Sequence, residues 1–600
     1  MRKLYQILLP IFLVCLGAAT ANAQSFRVQC PATTTLHPGL GSDQGAIKCQ
    51  QVSGGDGYAT MADGTQTYLF AFGPLSGLND IAKGLPGTQS QSVFMTPFDP
   101  LAAANTDASN GAVGIVPETD GTVTCAGETF VITNIFENAT TFVVTLTVTG
   151  DNYAPGDLVA FSGLTRATWL NGRNGVVVAA TPTTVTFLDV TSEDGTLTPV
   201  TVSGVETGTV ARRNTCFNGH VDPRQIMDVG VLNGNIPAPM MAIDEDDEFF
   251  LTLTNVGMIM RPDLFEQHTI HFHGYPNASS FYDGVPDASV AINIGGSFTY
   301  YYLAPDAGTY FWHCHITPPE HLQMGMVGQL YVRPRQNRVT SGTLYGFQSG
   351  LTDLRIISNC TNDILCSAPL PAANTVTRAN NKSGAPTLYA YNDGDGSTAY
   401  DVEYPLQIHG FDPNFHFVGM TFNPEAFADM KDKYFLLNGR SYPDTINTSG
   451  YQDSTLGAGN SDFVGQPRTS TAMYTQDSDA VQRASQPLNA VINIPAGGKA
   501  LLRISDLDVS EYQTLASLGI PMRVIALNAR LLRDEAGNNM YYTTNSITLA
   551  GGESLDVLLD ATDITKYPAG SVFYLYTPQL DHLSNDAENF GGLMTEVRIN

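Results

Sequence analysis

Two short stretches restrict the fold of this chain more than any other feature, because they hold six of its 11 histidines in a strand-like pattern. The first reads His268-Thr-Ile-His271-Phe-His273, and the second reads His313-Cys314-His315 before continuing to His321 and Met326. Side chains two residues apart on a β-strand point to the same side of the sheet. His271 and His273 can therefore share a face, and so can His313 and His315. Cys314 must face the other way, so one strand would offer imidazoles to one metal centre and a thiolate to another.

The residue types indicate which metal these stretches would bind. One thiolate, two imidazoles and a weak axial thioether form the ligand set of a blue electron-transfer copper site. That set is present in His268, Cys314, His321 and Met326. A surface zinc site or scattered core histidines are the alternatives, but two linked motifs with a cysteine and a spaced methionine favour copper.

The paired motifs resemble the signature of the multicopper oxidases, within the cupredoxin superfamily. That signature joins His-x-x-His-x-His to His-Cys-His and a later His-x4-Met. Six residues separate Cys314 from His321, where four are usual, and proteins related to copper nitrite reductases also lengthen this loop. Further segments resemble the framework of the same domain: Asn233-Gly-Asn-Ile-Pro-Ala-Pro, Phe250-Leu-Thr-Leu-Thr-Asn, Asp283-Gly-Val-Pro and Gly308-Thr-Tyr-Phe-Trp.

The resemblance implies a role for each ligand. The residues matching type 1 copper ligands are His268, Cys314, His321 and Met326. The residues matching ligands of the oxygen-reducing trinuclear cluster are His271, His273, His313 and His315. His313, Cys314 and His315 would be the catalytic residues, with electrons passing from the thiolate to the flanking imidazoles. We expected the substrate to reach the type 1 copper near His321, on a loop that approaches the surface.

The chain holds only half of the ligands that a complete trinuclear cluster needs. The resemblance implies eight histidines in four His-x-His pairs, and two pairs are present. A neighbouring copy in a homo-oligomer could donate His409 or His416, as in trimeric nitrite reductases; alternatively, both are loop histidines hydrogen-bonded locally. A separate partner subunit could supply the missing half, or the protein only transfers electrons. No role is predicted for His37, His220 and His582.

The N-terminus predicts export. Residues 1–23 combine a basic start, a short apolar run and Ala21-Asn22-Ala23, as a secretory signal peptide does. No later segment is long enough to span a bilayer, so we expect a periplasmic or extracellular protein. In such an oxidising compartment, the six cysteines outside the signal and the copper site predict disulfides. Sequence neighbours give the pairs Cys30–Cys49, Cys125–Cys216 and Cys360–Cys366.

Composition narrows the partners. The net charge of −28 argues against nucleic acid and anionic membranes. The resemblance implies a small-molecule or metal-ion reductant and dioxygen as the partners. The run Asp244-Glu-Asp-Asp-Glu248 could hold a cation, but a solvated guard of an edge strand is the commoner role. Four methionines could form a Cu(I) entry patch, although core packing is the simpler interpretation: Met240, Met241, Met258 and Met260.

Short β-rich runs between many glycines and prolines predict an all-β protein. Together with the resemblance, they predict two cupredoxin-like Greek-key β-sandwich domains. Domain 1 would span 24–335, interrupted by an inserted β-domain at 126–215, and domain 2 would span 345–600 without copper in the monomer. Helix-like patterns occur only around 423–433 and 509–518.

The expected function is that of an exported copper oxidoreductase. It would oxidise a substrate one electron at a time at a type 1 copper and couple this to dioxygen reduction. The alternatives are a nitrite-reductase-like trimeric copper enzyme and a blue-copper electron-transfer protein without oxygen chemistry.

Overall fold

The computed structural model describes most of the chain outside residues 1–25, 339–380 and 448–487. The described residues are 26, 28–37, 46–63, 65–99, 102, 105–115, 129–138, 143–150, 153, 158–171, 174–188, 202–212, 221–275, 279–304, 306–338, 381–382, 384–420, 427–447, 488–534, 538–585 and 589–600. The signal peptide, Cys125–Cys216, Cys360–Cys366 and His220 fall outside these residues. Among them, no helix combines the length and apolar character needed to cross a membrane.

The copper motifs lie in a sandwich of two sheets. Its strands are β1 (Ile47–Thr60), β2 (Gln66–Pro74), β3 (Gln89–Ser90), and then, beyond seven strands given below, β11 (Met241–Asp244), β12 (Glu248–Gly257), β13 (His271–His273), β14 (Ser297–Leu303), β15 (Gly308–His313) and β16 (Val327–Arg333). One sheet has the order β14-β12-β1-β2, with β3 beside β1, and the other has the order β11-β16-β15-β13. Their apolar side chains meet in one core, which includes Phe249, Phe272 and Trp312.

A second sheet system lies between β3 and β11 in the sequence. Its strands are β4 (Thr129–Asn138), β5 (Val143–Val148), β6 (Leu158–Ser162), β7 (Asn174–Thr181), β8 (Thr184–Leu188), β9 (Val202–Val205) and β10 (Thr209–Arg212). The order β10-β6-β7-β8-β5-β4 closes into a ring because β10 also pairs with β4. The ring has its own apolar cluster, and closure leaves few unpaired strand edges.

A second sandwich follows from residue 388. Its strands are β17 (Leu388–Tyr389), β18 (Ala399–Tyr400), β19 (Val402–Phe411), β20 (Tyr434–Leu437), β21 (Ile492–Ile494), β22 (Lys499–Asp506), β23 (Gln513–Leu518), β24 (Met522–Leu527), β25 (Arg530–Leu531), β26 (Tyr542–Thr544), β27 (Ser546–Leu549), β28 (Glu553–Asp560), β29 (Val572–Tyr576) and β30 (Met594–Ile599). The main sheets have the orders β20-β19-β22-β28-β24-β25 and β21-β30-β29-β23-β27. The predicted all-β fold is thus confirmed, while the domain boundaries stay a prediction.

The described helices are short and lie between strands. They are α1 (Leu78–Ala82), α2 (Gln91–Phe94), α3 (Asp107–Asn110), α4 (Pro223–Gly230), α5 (Pro318–Gln323) and α6 (Pro413–Met420). The helix predicted around 509–518 is wrong, because Gln513–Leu518 is strand β23 with alternating burial. Between 423 and 433, the described part holds one 3-10 turn, Phe427–Asp429. The sequence did not reveal α6, where Asp412 accepts hydrogen bonds from the backbone of Asn414 and Phe415 at 2.9 and 3.3 Å.

Candidate metal centre

Strands β13 and β15 bring the two histidine motifs together. They pair in antiparallel register, with His271 opposite His313 and His273 opposite Phe311. The alternation expected from the sequence therefore places the His-x-His residues of both motifs on one side. The thiol of Cys314, just after β15, lies on the other side.

His268, Cys314 and His321 form the first group of potential ligands, with one donor atom from each within 4.8 Å of the others. His321 Nδ1 lies 3.2 Å from Cys314 Sγ, and the rings of His268 and His321 lie 5.4 Å apart between centroids. All three side chains are fully buried. The backbone N–H of Thr269 donates to the sulfur at 3.4 Å.

Helix α5 accounts for the longer spacing between Cys314 and His321. The extra residues form the helix Pro318–Gln323, which begins after Thr317 in the left-handed region at a φ of 37°. His321 lies in this helix and is buried, so the expectation of a surface loop is wrong. The chain then returns, because the N–H of Met326 donates to the carbonyl of His321 at 2.8 Å. The N–H of Cys314 donates to the carbonyl of Met326 at 3.1 Å, which places buried Met326 beside the group.

The first group is electrostatically prepared for a cation. Burial alone would raise the pKa of the Cys314 thiol, but neighbouring His321 and His268 hold it well below its ordinary value. Burial opposes charge on His321, yet the Cys314 thiolate raises its pKa to about 10. Burial lowers the pKa of His268. The stable form of the metal-free site is thus a thiolate beside the protonated ring of His321 and the neutral ring of His268.

Unsatisfied nitrogens show that these residues fit a metal. Both ring nitrogens of His268 and Nε2 of His321 are buried without a hydrogen-bond partner. The carboxylate of Glu266 lies 3.6 Å from His321 Nε2, beyond normal hydrogen-bond length. Buried polar groups normally have partners, and a soft cation would give His268 the one that it lacks. Cys314 is the only free cysteine among the described residues.

The second group lies on the opposite side of the same strands. His271, His273 and His313 each place one nitrogen within 4.8 Å of the others. The ring of His315 lies 5.1 Å from that of His271, so the four predicted imidazoles converge, although His315 stands outside the tight trio. His313 Nδ1 lies 2.8 Å from the carbonyl of Cys314, and His271 Nδ1 lies 2.7 Å from the carbonyl of Asp283.

These carbonyl contacts decide which nitrogens face a metal. A carbonyl can only accept, so Nδ1 of His271 and of His313 carries the proton and Nε2 keeps its lone pair. Such carbonyl partners orient metal-binding histidines in proteins generally. Burial also lowers the pKa of His313 to about 3, which keeps the ring neutral. His273 is exposed, so this group opens towards the surface.

The four other described histidines are buried. His416 is buried, with Nδ1 2.5 Å from the carbonyl of Tyr68 and Nε2 2.9 Å from that of Gln323. His409 is buried as well. Neither faces solvent, so neither can reach a neighbouring copy. The alternative of locally bonded loop histidines is also wrong, because His409 lies in β19 and His416 lies in α6, with the partners of His416 far away in the sequence. Two histidines without a predicted role have partners: His37 contacts Glu248 at 2.7 Å, and His582 contacts Glu511 at 2.7 Å.

The acidic run 244–248 is not a solvated strand guard. Glu245, Asp247 and Glu248 are buried, and Asp246 pairs with Arg335 and Arg338. Their oxygens accept backbone and side-chain hydrogen bonds, for example from the N–H of Ala46 and the hydroxyl of Tyr301. The run therefore joins distant segments, because its carboxylates satisfy donors that folding buries.

The predictions for the methionines and for one disulfide agree with the structure. Of the four methionines, the buried ones are Met240, Met241 and Met258, which agrees with core packing. The disulfide Cys30–Cys49 is present, closing a separation of 19 residues. Sequence reasoning missed Gln323 in helix α5, and Glu266 and Asp432 beside it. No local pattern marks them, because their partners lie far away in the sequence.

A match to a known family covers this region. Residues 215–337 match the family model described as multicopper oxidase. A laccase of Aspergillus fumigatus is 35% identical over 109 residues, 18% of this chain and 17% of the laccase. A copper-containing nitrite reductase of Rhizobium meliloti is 34% identical over 109 residues, 17% of this chain and 26% of the reductase.

These alignments thus cover only about a fifth of this chain, and between about a sixth and a quarter of the relatives' own length. Among solved structures, a blue copper oxidase of Nitrosomonas europaea aligns with 62% of this chain and 79% of that chain. Its identity is 18% and its TM-score is 0.36.

Proposed function

We propose that the protein is an exported copper oxidoreductase, because residues 215–337 match the multicopper oxidase family model. It oxidises a substrate one electron at a time and couples this to the reduction of dioxygen. The observation that carries the proposal is the buried group of His268, Cys314 and His321, a thiolate between imidazoles with nitrogens that lack partners. Copper is the cofactor of this family, and bound copper would supply one-electron redox chemistry.

The residues that would hold copper divide into two sets on opposite faces of one strand. His268, Cys314, His321 and Met326 would hold the type 1 copper. The imidazoles of the other set belong to His271, His273, His313 and His315. Cys314 is bonded through the backbone to His313 and His315, so three consecutive residues provide a covalent path between the two sets.

The surrounding core keeps the type 1 set dry. Tyr300, Tyr302 and Trp312 are fully buried, and the N–H of Ile270 donates to the Tyr300 hydroxyl at 3.0 Å. Exclusion of water and outer hydrogen bonds tune the potential of a metal site. With His321 buried, the partly exposed carboxylate of Glu266 lies 3.6 Å from His321 Nε2. The reducing substrate, a small molecule or a metal ion, would approach there.

The second set is incomplete for dioxygen reduction by a single chain. It has four of the eight imidazoles that a trinuclear cluster requires in this family, and exposed His273 leaves it open. We therefore propose that an interface completes it, with another copy or a partner subunit as the source. His409 and His416 are excluded as donors by their burial.

A nitrite-reductase-like trimer is the second candidate function. Fewer imidazoles suffice for a single copper, and copper-containing nitrite reductases are among the relatives over this region. An electron carrier without oxygen chemistry is the third. In each case, we propose that the protein acts in the periplasm or outside the cell.

Copper stoichiometry separates the three functions. Copper-loaded protein should absorb strongly near ~600 nm, the region of thiolate-to-copper charge transfer in blue copper sites. A carrier would hold one copper per chain, the reductase type two, and the oxidase more than two. Cys314→Ser should abolish the colour and leave the fold intact. A colourless wild type that is replete with copper contradicts the type 1 assignment.

A further inference from the structure

Helix α5 is attached to the second sandwich through one buried side chain, Gln323, two residues after His321. Its Nε2 donates to Asp432 Oδ1 at 3.0 Å. Its Oε1 accepts from the backbone N–H of Asp412, also at 3.0 Å. Its own carbonyl lies 2.9 Å from His416 Nε2. Gln323 is fully buried, so water cannot replace these partners.

We propose that Gln323 is a positioning residue for His321, and that Asp432 holds it in the protonated form while Asp508 keeps the negative charge. The proposal rests on the copper function proposed above. His321 has few other constraints, because its outer nitrogen lacks a hydrogen-bond partner. A three-point attachment one half-turn away therefore fixes where its ring lies relative to Cys314.

The protonation of Asp432 follows from the contacts of two adjacent carboxyl groups. A Cβ on Gly410 would collide with Oδ2 of both Asp432 and Asp508, so these two oxygens are close neighbours. The Ser510 hydroxyl contacts Asp432 Oδ2 and also lies 3.1 Å from Asp508 Oδ1. One hydroxyl has one proton, so two charged carboxylates would leave facing lone pairs unsatisfied.

The donors are distributed unequally between the two groups. Asp508 accepts from the backbone N–H of Ser510 at 2.8 Å and of Glu511 at 3.1 Å. It also accepts from Gln513 Nε2 at 2.6 Å. Asp432 accepts one amide proton, from Gln323. Hydrogen bonds favour the charged form of a carboxyl group, so Asp508 keeps the charge and Asp432 donates its proton to it.

The remaining electrostatics agree with this assignment. Burial raises the pKa of Asp432 well above its ordinary value, and the charge of Asp508 adds to the effect. The acidic groups Asp506 and Glu553 also act on this cluster. The other titratable groups nearby are Lys431, Lys433, His409, His416, and the pair of His582 with Glu511.

The test compares two buried glutamines, Gln323 and Gln329, that both form hydrogen bonds to the second sandwich. Gln329, on β16, donates to the carbonyl of Arg503 at 2.8 Å but lies outside helix α5. Gln323→Leu should weaken copper binding by about tenfold or more, as loss of an outer partner of a metal ligand does. It should also shift the blue absorption band. Gln329→Leu should leave both within about twofold of wild type.

Hydrogen exchange of the metal-free protein gives a readout that does not depend on copper. Gln323→Leu should speed amide exchange in residues 318–326, and Gln329→Leu should not. Equal behaviour of the two variants in both measurements overturns the positioning role. If wild type binds no copper, the proposed function fails. The hydrogen-exchange comparison still decides whether Gln323 is a positioning residue.

Substitutions of Asp432 and Asp508 test which of the two carboxyl groups carries the proton. Asp432→Asn keeps the acceptor for Gln323 and should match wild type, whereas Asp432→Ala should reproduce the loss seen in Gln323→Leu. This pair gives the same decision if Gln323→Leu does not fold. Asp508→Asn should weaken binding, because it removes the charge that the amide donors stabilise. Damage by Asp432→Asn equal to that of Asp432→Ala refutes the neutral form.

Discussion

Glu403→Gln should cost the protein about 3 kcal/mol of stability, because the carboxylate lies between buried Arg503 and partly exposed Arg333. Arg503 Nε lies 3.0 Å from Glu403 Oε2, and Arg333 contacts Oε1 at 2.6 Å. Arg503 is fully buried and Glu403 is 13% exposed. The only other carboxylate paired with Arg503 among the described residues is Asp556, at 3.8 Å.

Two independent arguments give the same loss of stability for Glu403→Gln. Burial alone would raise the pKa of Glu403, but Arg333 and Arg503 lower it from 4.5 to about 2. At 1.36 kcal/mol per pH unit, this corresponds to about 3 kcal/mol. Removing one partner of a buried ion pair costs about 3–5 kcal/mol in measured cases. The agreement holds because the neutral amide keeps the volume of Glu403 but leaves Arg503 with little countercharge.

The pH dependence gives the second half of the prediction. The pKa of Glu403 is lower in the folded state, so its contribution is complete above the unfolded-state pKa. It is lost as the pH falls through about 2. Wild type should therefore lose stability between these values, and Glu403→Gln should lose less.

Urea unfolding of the metal-free chain, followed by circular dichroism between neutral and acid pH, measures both effects. Lys566→Ala is the control, because its pair with Asp563 is exposed, with side-chain exposures of 72% and 45%, and such pairs contribute little. A loss below about 1 kcal/mol in Glu403→Gln, with an unchanged acid slope, refutes the reasoning.

Three further predictions concern other parts of the molecule. Glu206→Gln should lower the stability of the closed ring β4–β10 by about 2 kcal/mol in thermal unfolding, because Glu206 accepts backbone N–H bonds from Ala167 and its neighbours. Those bonds lower its pKa to about 2, so the wild-type contribution should persist above the ordinary glutamate pKa and fade as the pH drops towards 2. Deleting 126–215 should leave a folded, blue protein by absorption spectroscopy, since the ring has its own core; loss of copper would contradict this. Gly54→Ala should weaken copper binding in a chelator competition, because the new Cβ would meet the ring of His268 at 2.8 Å; unchanged affinity would show that the ring can move freely.

Strand alternation made the metal ligands readable from the sequence. The period of two is a local property of the backbone, so His271 and His273 had to share a face in any sheet, and Cys314 had to oppose His313. The Cys30–Cys49 pair was predictable for a similar reason, since the two cysteines are close in the chain. The all-β class followed from the same local patterns.

Predictions that depended on distant segments did less well. The acidic run 244–248 looks solvated in the sequence, yet Glu245 and Asp247 are buried because the folded chain brings amide donors to them. His321 could equally have lain on a surface loop. Its burial depends on helix α5 packing against β2, with Phe70 5.1 Å from the His321 ring.

The sequence by itself determined which side chains are candidate copper ligands, and that His271 and His273 share one face of their strand. Only the tertiary structure decided how those side chains are held. Gln323 and Asp432 are 109 residues apart, and Glu403 and Arg503 are 100 apart. Hydrogen bonds and ion pairs of this kind depend on how the sheets pack, and packing is a property of the whole chain that no local pattern encodes.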